Sequence, residues 1–177
     1  MYVLGDISRK GAIQFPEREA IVFEKKRLTY KKLNDRVNRF ANALSNLGYK
    51  KGDRLAVLSE NTYKYLEIYF AVAKLGMSVT PLNFRLSDAE IEHIVVDSES
   101  TCLLVGEGYD KRTLRMKENL NHICDWIVLD NRKEGFLFYE DLIRDASDEE
   151  PAIAVDENDM AVLMYTGCTT GLPKGVM

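Results

Sequence analysis

Apolar positions in this chain follow two rhythms, one with helical spacing and one of short unbroken runs. Leu33, Val37, Phe40, Leu44 and Leu47 recur three and four residues apart and predict a helix, with Thr29 as its N-cap and Gly48 just past its end. A second helix is predicted after Asn61, with Leu66, Tyr69, Phe70 and Ala73 on its inner side and Gly76 closing it. Ser87 and Glu90 have the spacing of a capping box for a third helix bearing Ile91, Ile94 and Val95. A polar helix around 111–120 and a short one near 139–144 complete the set. Between them lie apolar runs at 54–58, 77–80, 101–105, 126–129 and 160–164, each readable as a strand, and Pro81 is expected to stop the second. Residues 20–24 and 27–30 read as a hairpin around Lys25 and Lys26.

Helices alternating with continuous apolar strands predict an α/β fold, with a mostly parallel sheet flanked by helices on both faces. Such sheets bind ligands beyond the carboxyl ends of their strands, where the loop after Met164 is expected to lie. The acidic stretch 145–150 reads as a surface loop. No internal repeat or low-complexity tract interrupts the pattern, and 177 residues suit one substantial domain, with room for two small subdomains.

Composition mainly excludes. The net charge is −4, and the basic pairs Lys25-Lys26, Lys31-Lys32 and Lys50-Lys51 are interleaved with acids, so there is no nucleic-acid-binding stripe. No apolar run approaches the roughly 18 residues of a membrane span, and no leader pattern opens the chain, so a cytoplasmic location is expected. Cys102, Cys124 and Cys168 are odd in number and widely spaced, which argues against disulfides or zinc. Cys102 and Cys124 read as buried fillers. His93 and His122 have no partner at metal-ligand spacing.

Chemistry concentrates at the end of the chain, in Tyr165-Thr-Gly-Cys-Thr-Thr-Gly-Leu-Pro-Lys-Gly-Val176. Glycines let backbone N–H groups approach an anion, hydroxyls donate further hydrogen bonds, and the lysine adds a point charge, so this composition suits a polyphosphate. It is not the common nucleotide loop Gly-x4-Gly-Lys-Ser/Thr, because Lys174 precedes Gly175 and no hydroxyl residue follows the lysine.

The order of these residues resembles the phosphate-binding signature of the AMP-forming acyl-CoA synthetases, members of the adenylate-forming superfamily. Leu28-Thr-Tyr-Lys-Lys-Leu33 resembles that family's helix start. Ala73-Lys-Leu-Gly76 running into Val79-Thr-Pro-Leu-Asn83 resembles its helix, glycine, strand and proline segment. Asn83, where peptide-synthetase adenylation domains tend to carry Asp, favours the acyl-CoA synthetases. The resemblance implies that residues 1–177 are the N-terminal part of an AMP-binding domain, with the C-terminal remainder of the enzyme absent. It also implies a reaction in which a carboxylate, fatty or aromatic, attacks Mg-ATP to give acyl-AMP, and coenzyme A then takes the acyl group. By the same match, Thr166, Thr169 and Thr170 would offer hydroxyls to the phosphates. Backbone N–H groups around Gly167, Cys168 and Gly171 would line the cradle, Lys174 would add charge, and Gly175 would let the loop swing. Cys168 departs from the family pattern, which has glycine there, and its thiol in an N–H-rich loop is a candidate for a lowered pKa. The chain alone is expected to be inactive, the alternative being a non-catalytic homologue that binds nucleotide or a partner chain. An unpaired strand edge leaves self-association open.

Overall fold

The computed structural model describes residues 3–166 and 173–176. In chain order the elements are α1 (Asp6–Gln14), β1 (Glu19–Phe23), β2 (Lys26–Thr29), α2 (Tyr30–Asn46), β3 (Arg54–Leu58), α3 (Tyr63–Lys74), β4 (Ser78–Leu82), α4 (Asp88–Asp97), β5 (Cys102–Val105), α5 (Asp110–Met116), β6 (Asp125–Val128), β7 (Leu137–Phe138), α6 (Tyr139–Asp145), β8 (Met164–Thr166) and β9 (Lys174–Val176). They divide into two compact units. The first comprises Met1–Gly52, Asn61–Met77 and Asp141–Ala161; the second comprises Asp53–Glu60, Ser78–Glu140 and Val162–Met177.

In the first unit α2 forms where the helical spacing places it. The Thr29 side chain accepts a hydrogen bond from the Lys32 N–H at 3.3 Å, and Gly48 leaves the helix at φ +96° with open space around it, a conformation that suits a residue without Cβ. Leu33, Val37, Phe40 and Leu44 are buried, whereas Leu47 lies past the last helical turn and is 36% exposed. The inner face of α3 holds Phe70 and Ala73, as expected, and departs from the expectation at other positions. Leu66 points outward, while Lys64 and Glu67 turn inward beside Ile68, Ala71 and Val72. The reason is electrostatic: the fully buried Glu67 carboxylate takes two guanidinium hydrogen bonds from Arg36 of α2, at 2.5 and 3.0 Å, so a charged position is accommodated in an interior face.

A second polar cluster fastens the stretch after α6. The buried Lys74 ammonium donates to Asn34 Oδ1 (2.8 Å), Asn38 Oδ1 (2.7 Å) and Glu150 Oε2 (2.6 Å). Asn38 and Arg39 donate to the carbonyls of Asp148 and Ala146, and Asn42 to those of Ser147 and Glu149. The acidic stretch is therefore a strap pinned to α2, not a free surface loop. Burial raises the Glu150 pKa, but the hydrogen bonds from Lys74 and Asn34 outweigh it and hold the carboxyl below its usual range.

In the second unit five parallel strands follow the order β4-β3-β5-β6-β7. The inner strands are the unbroken apolar runs of the sequence. Ala56, Leu58, Leu82, Leu103, Val105, Trp126 and Val128 share one face and pack on Ile91, Ile94 and Val95 of α4 and Met116 of α5. Leu55, Val57, Leu104 and Ile127, on the opposite face, are fully buried as well. The capping box of α4 is present in both directions, Glu90 N–H to Ser87 Oγ and Ser87 N–H to Glu90 Oε2. Pro81 does not end β4. It sits within the strand, paired with Val57, because β4 is the outermost strand of the sheet and needs no donor there. Cys102 is buried as expected; Cys124, expected to be buried, is exposed just before β6, where its thiol donates to the His122 carbonyl at 3.8 Å. No helix among the described residues is long and apolar enough to cross a membrane.

Candidate functional site

Thr166 and Lys174 are the two sequence-predicted phosphate contacts that the structure describes; Gly167, Cys168, Thr169, Thr170 and Gly171 lie outside the described residues. The described pair belongs to a short antiparallel hairpin in which Met164 faces Val176, Tyr165 faces Gly175 and Thr166 faces Lys174. Directly opposed residues of antiparallel strands project from the same face, with Cβ atoms about 5 Å apart. A hydroxyl and an ammonium group, both exposed, are thereby brought to one side of the hairpin. That combination can donate two hydrogen bonds and one positive charge to a single anionic group.

The approach to the hairpin differs from the buried strand expected at 160–164. Val162 makes one parallel bridge to Val79 of β4, and the Leu163 N–H donates to the Val79 carbonyl at 3.0 Å. The chain then leaves the sheet, and β8 pairs with β9 alone. Tyr165 supplies a further attachment. Its ring packs against the apolar core between the sheet and α4, and its hydroxyl donates to Asp97 Oδ2 at the end of α4, 2.5 Å away. Burial of the ring raises the phenol pKa, and the hydrogen bond to the Asp97 carboxylate raises it further.

Gly175 has a packing role. A Cβ there would lie 3.1 Å from Leu163 Cδ1 and 3.2 Å from Tyr165 Cζ, so the absence of a side chain lets the backbone rest on the tyrosine ring. The sequence motif pointed to Thr166 and Lys174. It gave no sign of Asp97, which lies 68 residues before its partner and carries no local signal of the contact.

A second feature of this unit lies beyond the carboxyl ends of β5 and β6. A cavity of about 240 Å³ is lined by residues including Gly106, Glu107, Asp110, Asp130 and Lys133. Gly106 is required by close approach: a Cβ would overlap the Ser59 side chain and sit 3.0 Å from its Cα. The charged lining is internally paired. Asp130 accepts from the Glu107 N–H at 2.9 Å, and Lys133 pairs with Asp110 at 3.0 Å, holding that carboxyl below its usual range. Among the described residues no group of three or more His, Cys, Asp or Glu side chains could hold a metal ion.

The architecture is that of the adenylate-forming enzymes. The solved anthranilate CoA ligase AuaEII, in complex with anthranoyl-AMP, is similar with a TM-score of 0.93 and 25% identity, over 99% of this chain and 34% of that one. The chain belongs to the AMP-binding enzyme family, which it matches over residues 9–177. It is 35% identical to 4-hydroxybutyrate–CoA ligase 2 of Metallosphaera sedula, over 92% of this chain and 31% of the relative. It is 32% identical to the long-chain-fatty-acid–CoA ligase FadD13 of Mycobacterium tuberculosis, over 98% of this chain and 34% of the relative. The chain thus spans about a third of the length of the curated relatives it matches.

Proposed function

We propose that this chain supplies the phosphate-gripping part of an enzyme that activates a carboxylic acid with ATP, through acyl-AMP, and passes the acyl group to coenzyme A. The observation that carries the reading is the hairpin, which brings Thr166 and Lys174 opposite each other at the two ends of the family's phosphate signature. Activation of a carboxylate by ATP displaces pyrophosphate, so negative charge must be held where the leaving group departs. Fixed donors and a cation do this without reorganising at the moment of reaction. Lys174 would supply that cation, and Thr166 a hydroxyl to the same phosphates. Thr169 and Thr170 would add two more hydroxyls, and the N–H groups of Gly167, Cys168 and Gly171 would complete the cradle. Magnesium would arrive with ATP. Relatives acting on 4-hydroxybutyrate and on long-chain fatty acids, and a structural neighbour named for anthranilate, support an organic acid as the substrate class, fatty or aromatic.

The test is carboxylate-dependent exchange of pyrophosphate into ATP, run on the 177-residue chain and on the full-length gene product. Exchange in the full-length protein and silence in the chain is the expected pair of results. Turnover by the chain alone would refute the division of labour, and silence of a folded full-length protein across short, fatty and aromatic acids would refute the function. Lys174→Ala in the active form is expected to lower exchange by about a hundredfold, the usual size for loss of one preorganised electrostatic contact.

A further inference from the structure

We propose that Asp97 is a positioning residue for nucleotide binding, holding through Tyr165 the hairpin that sets Thr166 opposite Lys174. The proposal rests on the function proposed above and adds to it a residue from a separate helix.

Three observations converge on it. The first is that Asp97 is misplaced by helix standards. It ends α4, a helix with no basic residue in its last turn, and a carboxylate at a helix C-terminus faces the negative end of the helix dipole. The terminal carbonyl of Ser98 is satisfied by Arg54, whose guanidinium donates to it at 3.1 Å, so helix termination does not call for Asp97. What Asp97 does hold is the Tyr165 hydroxyl.

The second is that the hairpin cannot secure itself. It comprises three residue pairs, and isolated two-stranded ribbons are marginal in water even when longer. Its fixed points among the described residues are the Leu163 hydrogen bond to Val79, the packing of the Tyr165 ring and the Tyr165 bond to Asp97.

The third concerns register. Because Tyr165 is opposed by Gly175, whose backbone lies against the ring, a larger cross-strand neighbour would press on the ring. A slip of one residue would move side chains to the opposite face of the hairpin and separate Thr166 from Lys174. Fixing the tyrosine therefore fixes the pair that meets the anion.

Two measurements test the proposal. In amide hydrogen exchange on the chain, Y165F and D97A are expected to speed exchange at 164–166 and 174–176 about tenfold or more, the equivalent of one hydrogen bond to a charged acceptor, and to leave β5 unchanged. D97N keeps an acceptor oxygen and is expected to fall between the unsubstituted chain and D97A. In the full-length protein the same substitutions are expected to raise the KM for ATP about tenfold and to keep the KM for the carboxylate within about twofold. Unchanged exchange in the hairpin overturns the proposal, as does an equal rise in both KM values. If the unsubstituted full-length protein shows no pyrophosphate exchange, the proposed function fails, and hydrogen exchange alone decides whether Asp97 holds the hairpin.

Discussion

The parallel sheet and the β8–β9 hairpin belong to the same unit, yet different forces hold them. In β3, β5 and β6 nearly every side chain is shut away from water on both faces, so hydrophobic burial fixes position and direction together. In the hairpin two of the three residues of β8 and all of β9 are exposed. Its place depends on a main-chain hydrogen bond, a tyrosine ring and the carboxylate of Asp97. A region held by burial resists displacement. A region held by a few polar contacts can adjust around a ligand, and it is here that the family's phosphate signature falls.

The comparison can be broken most directly at Leu104. It is fully buried in the middle of β5, and Leu104→Ala is expected to cost about 3 kcal/mol, as large-to-small changes in well-packed cores do. Urea unfolding of the chain measures it, and a loss below 1 kcal/mol, on the order of an exposed site, would show that burial does not dominate the sheet. At the carboxyl end of the sheet Gly106→Ala is expected to cost about 2 kcal/mol by overpacking, because the new methyl meets Ser59 down to its backbone. A neutral result in the same assay would mean that this end of the sheet yields freely.

Smaller effects are expected in the hairpin. Tyr165→Phe removes one hydrogen bond to a carboxylate, worth about 1.5 kcal/mol at neutral pH. The phenol's pKa is raised in the folded chain above its ordinary value of 10.0. Its contribution is therefore whole below pH 10 and is lost as the pH climbs from there toward the folded value. The gap between the unsubstituted chain and Y165F should narrow between pH 10 and 11; a gap that stays constant would remove the ionisable phenol from the account. Gly175→Ala comes last, at about 0.5 kcal/mol, since the new methyl asks Leu163 and the Tyr165 ring to give by only a few tenths of an ångström. A gain in stability, the usual outcome where replacing glycine merely restricts the unfolded chain, would show that the ring does not rest on Gly175.

The same contrast explains what could be read in the sequence. The inner strands and α2 and α4 were legible because burial and capping act over a few residues: unbroken apolar runs, Thr29, and Ser87 with Glu90. What escaped was set by distant partners. Pro81 reads as a stop until the strand order places β4 at the edge. Leu66 reads as an inner residue of α3 until Arg36 draws Glu67 inward instead, and 145–150 reads as a loop until Lys74 and the asparagines of α2 bind it. Helix α1 went unread because it carries no apolar stripe; Ile7 and Ile13 are exposed and Ser8 is its buried residue. At the candidate site the residue types were legible from the motif, but the pairing of Thr166 with Lys174 and the hold of Asp97 on Tyr165 belong to the fold.

The Lys74 cluster also carries a consequence for synthesis. Its lysine comes from α3 and its carboxylate from Glu150, and the strands β4 to β7 lie between them in the chain. A nascent chain emerges in order, so Lys74 has its two asparagines but waits for its carboxylate until the strap is made, while the strands β3 to β7 are already available to pair. The first unit is begun early and fastened late, and a ribosome stalled before residue 150 would leave a lysine in its interior without its paired carboxylate.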